Sequence, residues 1–248
     1  MRNKKSIFLF LVFLSGINYL KSQDVQWRET DKHTMSVNLN SIAKYLQNKQ
    51  QYQVYMTDAS FENYTTPVAH EKSSGYVKKE GQKFHNYMMG IHTIQNSKCR
   101  LVFDSTKKIL IVSDPLKAIN DIISDTAFNR YLKVCNKMKL ARSGGIIYIK
   151  LEFNSTYPLS EMTMTIKDSL VEKIVMYYQH EVKSNNKSAK PRVEITFEKW
   201  KMSVENIEEA FNLDTYVYKK GDTYYLKPPY TGTCKLLDQR IRTKTGKS

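Results

Sequence analysis

His85, His92 and Asp104 are the side chains of this chain best suited by type to proton transfer, since an imidazole base works with a carboxylate that orients it. The two histidines do not have a zinc spacing, and the chain contains neither a nucleophile elbow nor an HExxH motif. Both lie in strand-like sequence, and because histidine is commonly only partly buried, the simplest expectation is a solvent-facing or edge position. Glu161, Glu172, Glu194 and Glu198 alternate with apolar residues and are expected to face water. A glycosidase pair would require a carboxylate separation that spacing alone does not supply. Gly75 and Gly81 read as turn glycines outside any phosphate-loop context. Cys99, Cys135 and Cys234 are odd in number and lack a CxxC or Cys/His pattern, so they read as buried or incidental thiols. Nothing here calls for a catalytic residue, a cofactor or a metal.

Apolar side chains repeat in a more informative way. Met88, Met89, Met162, Met164 and Met176 are many methionines for strands, and flexible thioethers adapt to irregular apolar ligands as readily as they fill a core. Residues two apart on a strand share a face. Val54 with Met56, Leu101 with Phe103, Met162 with Met164 and Ile166, and Ile195 with Phe197 therefore form apolar rows, which with Met88 are the candidate lining of a binding cavity. If the sheet stays open these rows line a cavity; if helices pack down on it they are core. Tyr216, Tyr218, Tyr224, Tyr225 and Tyr230 form an aromatic cluster suited to a sugar, a peptide or an interface, or simply to stabilising strand pairs.

The elements that must position these rows begin after an export signal. Arg2, Lys4 and Lys5 precede the apolar run from Ile7 to Leu14, and the chain then turns polar through Ser15, Gly16 and Asn18. That order describes a signal peptide over residues 1–23, too interrupted to span a bilayer. With no cysteine before Cys99, a lipid-modified mature N-terminus is not expected, and residues 24–248 form a single β-rich domain. The chain carries 39 Lys and Arg against 24 Asp and Glu. Such an excess suits an anionic membrane or an acidic partner, or is a solvated basic surface; export argues against nucleic acid.

Leu39, Ile42, Ala43 and Leu46 predict a helix over Ser36–Lys49, and Gln51–Thr57 alternates as a half-buried strand. A meander follows, with strands around Gly75–Lys79, Lys83–Met89, Cys99–Phe103 and Lys108–Ser113, set off by short turn sequences that favour antiparallel neighbours. Asp114-Pro115 reads as a helix start, and Ile119, Ile122, Ile123, Tyr131, Cys135 and Met138 carry that helix to Leu140, before Gly144-Gly145. Strands over Ile146–Phe153, Met162–Lys167, Val171–Tyr178 and Arg192–Trp200 come next, with a mobile loop over Lys183–Lys190. A short helix near Val204–Phe211, strands at Tyr216–Tyr218, Thr223–Leu226 and Lys235–Ile241, and a frayed end from Arg242 complete the reading.

This order resembles the periplasmic lipoprotein-carrier (LolA-like) family. Three stretches carry the resemblance: Leu39 to Phe61; SGYVKKEGQKFHNYMMGIHTIQNSKCRLVFDSTKKILIVSDP from Ser74 to Pro115; and LEFNSTYPLSEMTMTIKDSLVEKIVMYY from Leu151 to Tyr178, followed by PRVEITFEKW. The resemblance implies an α+β fold with an open, curved antiparallel sheet, a half-barrel, covered on one side by helices. It also implies a non-enzymatic periplasmic carrier of lipid or acylated-protein cargo, exchanging with membrane-associated donor or acceptor proteins. At roughly 0.8 kcal/mol per buried methylene, an acyl chain can be held without specific polar chemistry. The alternative is a secreted or periplasmic interaction module that binds a protein through its basic or tyrosine-rich surface, with a hydrolase a distant third.

Overall fold

The computed structural model describes residues 25–116, 123–184 and 187–241, so the signal peptide expected over residues 1–23 and the C-terminal end from Arg242 lie outside the described residues. A two-residue strand β1 (Arg28–Glu29) leads into helix α1 (Lys32–Gln47). The helix starts earlier than its apolar spacing indicates because Asp31 caps it: Thr34 donates its backbone N–H to Oδ1 and its hydroxyl to Oδ2, both at 2.8 Å. Met35, Leu39, Ile42, Ala43 and Leu46 form its buried stripe.

The meander is β2 (Gln51–Phe61), β3 (Glu71–Glu80), β4 (Lys83–Met88), β5 (Ile91–Gln95), β6 (Arg100–Asp104) and β7 (Ile109–Ser113). β5 was not anticipated as a strand; the turn signals Met89-Gly90 and Asn96-Ser97 stand so close on either side that only five residues separate them. Its Gln95 holds the chain that follows the meander. The side-chain amide accepts from Leu116 N–H at 2.9 Å and donates to Leu116 C=O at 3.2 Å.

The long helix expected from Pro115 to Leu140 does not form. The Asp114 carboxylate accepts from Ile241 N–H at 2.8 Å instead of capping a helix, and Pro115 and Leu116 are irregular. Ile119 and Ile122 lie outside the described residues. Helix α2 runs only over Asp125–Val134, with the Ser124 hydroxyl accepting from Ala127 N–H. From there the chain becomes strand β8 (Cys135–Ser143), turns at Gly144 and Gly145, both at positive φ, and returns as β9 (Ile146–Phe153). Cys135 and Met138 satisfy a helical spacing, but Met138 and Leu140 also alternate with Lys137 and Lys139. Pairing with β9 decides between the two periods, and Lys139 then meets Glu152 at 2.6 Å.

Next come β10 (Leu159–Lys167), β11 (Leu170–Tyr178), a small ribbon of β12 (Val182–Ser184) with β13 (Lys187–Ala189), and β14 (Arg192–Lys201). The ribbon occupies the stretch expected to be a loop. A 3-10 turn (Ile207–Phe211) stands in place of the short α-helix, followed by the hairpin β15 (Val217–Lys220) and β16 (Thr223–Leu226) and the last strand β17 (Lys235–Asp238).

Among the described residues the main sheet has thirteen strands in the order β1-β8-β9-β10-β11-β14-β2-β3-β4-β5-β6-β7-β17. Every ladder is antiparallel except β17 on β7. The sheet is open and curved, an α+β half-barrel rather than a closed barrel. Both helices pack on one face, the inner face, where the stripe of α1 with Phe128 and Leu132 of α2 meets Ile149, Leu151, Met162, Met164 and Ile174. On the outer face of β5–β7 a second core holds Ile94, Leu101, Phe103, Leu110 and Val112 under Leu213, Tyr216 and Val217 of the C-terminal segment.

Leu39 is fully buried and Val37, on the same helix, is 55% exposed. Leu39→Ala is expected to cost about 2–5 kcal/mol in urea unfolding, and Val37→Ala less than about 0.5 kcal/mol. Equal effects would mean that α1 does not dock through this stripe.

Candidate functional site

Between α1 and the middle of the sheet lies a cavity of about 170 Å³. Tyr52, Val54 and Met56 of β2 form its floor with Ile195, Phe197 and Trp200 of β14. Val77, Asn86 and Met88 continue the wall onto β3 and β4, and Leu46 and Ile123 close over it. The register explains the assembly: Phe197 stands opposite Met56, Val54 opposite Val77, and Val77 opposite Asn86, so these strands present one continuous patch. Gly75, opposite Met56, adds no side chain. A Cβ there would lie 2.3 Å from the Tyr87 carbonyl oxygen, so only glycine lets β3 and β4 approach at this point. A larger groove, about 440 Å³ along β1 and β8, is bordered by Arg28, Glu29, Thr30 and Arg142 and is polar.

Of the candidate residues, Val54, Met56, Met88, Ile195 and Phe197 border the cavity. Met162, Met164 and Ile166 share its face but are packed into the inner core and do not border the void. Leu101 and Phe103 are on the other side of the sheet, in the second core. Thr93 pairs with both Asn86 and Val102, which makes Val102 the β6 residue on the cavity's face and turns its two neighbours away. Strand parity relates residues within one strand; relating one strand to the next takes the register.

Trp200 was not anticipated, because alternation from Ile195 and Phe197 sends it outward. The β14–β2 register shifts between Glu198 and Lys201, with Lys199 at φ 53°, and this bulge swings the indole inward. Its N–H donates to Val171 C=O at 3.1 Å and its ring stacks on Phe197 at 6.1 Å. No residue type in the sequence marks the bulge.

The histidines are on the outer face and are not solvent-facing. His85 is 8% exposed, with Nε2 at 3.1 Å from His92 Nδ1 and 3.3 Å from the Tyr76 hydroxyl. Tyr87, Phe103 and Tyr216 surround His92. Burial first, and the neighbouring His92 second, push the His85 pKa down to about 4. Asp104 orients neither ring. It caps the β6–β7 turn, accepting from Thr106 and Lys107 N–H at 3.1 and 2.8 Å. The tyrosine cluster divides: Tyr216 and Tyr230 stack within the second core, Tyr224 meets the Cys99 thiol at 3.3 Å, and Tyr218 and Tyr225 form an exposed stacked pair.

Polar groups on the cavity's face are few. Asn86 is one. Asp58 is another, 7% exposed and directly across from Ile195, with its carboxyl pKa raised by burial and by nearby Glu71. Among the described residues no three His, Cys, Asp or Glu side chains gather as metal ligands. The site can therefore hold an apolar body, with a small number of polar atoms at its edge.

No family model and no curated protein matches the chain. Among solved structures, it is similar to an uncharacterised conserved protein from Thermus thermophilus (9% identity, TM-score 0.43, 83% of this chain and 99% of that one). It is also similar to the Mycobacterium tuberculosis lipoprotein LppX (9%, 0.35, 71% and 99%). A third similar structure is that of a LolA superfamily protein from Nitrosomonas europaea (9%, 0.29, 75% and 99%). At such low identity and TM-score these likenesses assign no activity.

The buried histidine has a consequence for stability. A folded-state pKa of about 4 against the ordinary 6.5 means that the folded protein takes up fewer protons than the unfolded chain as pH falls. The stabilisation is complete above pH 6.5 and is lost as pH drops from 6.5 toward 4. Thermal unfolding should show Tm falling across that window, with a shallower fall in His85→Gln, which faces the same Tyr76, Tyr87, His92 and Lys78. Identical pH profiles would show that His85 titrates normally.

Proposed function

We propose that the protein is a non-enzymatic carrier that holds an acyl chain of a lipid or acylated protein between α1 and the inner face of the sheet, in the periplasm. The observation that carries this reading is an apolar pocket between α1 and the sheet, walled by side chains of four adjacent strands. Interiors pack with few voids larger than a water molecule, and an apolar cavity of about 150 Å³ takes up a benzene-sized guest. The void as it stands accommodates the end of a chain. A full acyl chain requires Leu46 of α1 and Ile123 to lift from the sheet, because drug-sized ligands occupy roughly 300 Å³ or more. Met56 and Met88 suit such a wall, since unbranched thioethers adjust as the space changes.

The rival reading, a protein-binding module using its basic or tyrosine-rich surface, loses part of the tyrosine-rich surface to the fold. Tyr216 and Tyr230 are spent on the second core, which leaves Tyr218 and Tyr225 as the exposed pair.

Native mass spectrometry of the mature protein, followed by lipid extraction, tests the carrier reading. The expected result is a stoichiometric lipid or acylated peptide; a protein still empty after incubation with dodecanoyl peptide overturns it. Trp200 lies in the wall, so its fluorescence should respond to the same peptide. Met88→Lys, which sets an ammonium at a half-buried point of the lining, should weaken binding by at least about tenfold while the far-ultraviolet dichroism is unchanged. An unaltered affinity would move the ligand elsewhere.

A further inference from the structure

The polar atoms of the inner face are placed by register, and they differ from the rest of the wall in one respect. Asn86 borders the cavity between Val77 and Met88, and its Oδ1 is buried with no hydrogen-bond partner among the described residues. The pairing also sets Asp58 across from Ser73 in the row beyond Met56 and Gly75, about 7 Å along β2 from Met56. Ser73 Oγ is buried and unpartnered as well, and Asp58, beside the lining residue Ile195, has no hydrogen bond or ion pair among the described residues. Leaving a buried acceptor unmet is costly, and a strand position between two apolar neighbours is easily filled by valine. Asn86 is thus a buried, unmet acceptor on the cavity's own lining, and the Met56–Gly75 row separates it from the second polar position at Ser73.

Acceptors need donors. An acyl ester offers none beside its chain, and a fatty-acid carboxylate would meet Asp58 and Glu71, which already oppose each other's charge. An acyl chain joined through an amide carries an N–H at its first linkage, and Asn86 Oδ1 is an acceptor for it. The terminal torsion of asparagine is soft, so Oδ1 can turn toward the cavity without moving β4.

We infer that this site selects acyl chains attached through an N–H group over chains attached through an ester, with Asn86 Oδ1 accepting a hydrogen bond from the ligand's N–H. The inference rests on the carrier reading above and adds the class of cargo to it.

The probes are N-methyldodecanamide and methyl dodecanoate, which have the same chain and nearly the same shape and differ in one N–H. Binding of each to the full mature protein is read by Trp200 fluorescence and checked by calorimetry. The amide is expected to bind at least about tenfold more tightly, the factor that one satisfied buried acceptor supplies. Asn86→Val should bring the two affinities within about twofold by raising that of the ester or lowering that of the amide. Equal affinities in the unaltered protein overturn the selectivity and leave the carrier reading standing, and so does an unchanged preference in Asn86→Val. Binding of neither probe removes both. The comparison of the two probes on the unaltered protein decides the matter even if the variant fails to fold.

Discussion

Everything on the inner face depends on the antiparallel register that carries strand parity from β8 across the sheet to β7. Leu140 faces Ile149, Ile149 faces Met164, Met164 faces Ile174, Ile174 faces Ile195, and Ile195 faces Asp58. One chain of cross-strand neighbours thus runs through six strands and arrives at the edge of the cavity. Two departures matter as much as the rule. A shift between Thr165 and Ile166 brings Val171 into the inner core, and the bulge at Lys199 brings Trp200 to the cavity. Those two residues meet, with the indole N–H on the Val171 carbonyl.

A sheet this wide is difficult to cover. Thirteen strands at about 4.8 Å each span roughly 60 Å along the curve, whereas two helices side by side cover about 20 Å. Curling brings the inner face together, and sheets of more than about ten strands seldom avoid it. Covering remains uneven. Beneath α1 and α2 the β8–β11 side is filled by Ile149, Leu151, Met162 and Met164, while the β2–β4 side, reached by Leu46 and Ile123, keeps the void. Among the described residues, the cavity lies at the margin of the helical cover.

Much of this was legible in the sequence. The stripe of α1, the alternation of β2, β9, β10 and β14, and the turn signals of the meander each reflect a local period, and each period reports local structure. The failures have a common cause. Met138 and Cys135 fit a helix as well as a strand, and only pairing with β9 settles the choice. Leu101 and Phe103 form a sound apolar row, but its face is fixed by Thr93 standing between Asn86 and Val102, two ladders away. Trp200 depends on a bulge, His85 on a C-terminal segment that crosses to the outer face and buries it. What lies within one strand or helix can be read from the chain; what depends on a partner strand cannot.

β4 joins the two sides of the molecule. Asn86 and Met88 point into the cavity, and His85 and Tyr87 point into the stacked rings of Tyr76, His92 and Tyr216 behind it. This wall of the cavity is thus backed by a second core, and β3 is held close to β4 by Gly75. Among the described residues the opposite wall consists of Leu46 and Ile123, resting on the sheet through apolar contact. Separating apolar surfaces costs about 25 cal/mol per Å² exposed, and an entering acyl chain covers the same surface again. Breaking the sheet would instead expose ladder hydrogen bonds that an acyl chain cannot replace. On the proposed carrier reading, expansion of the site would therefore proceed on the helical side, with the sheet as the fixed template.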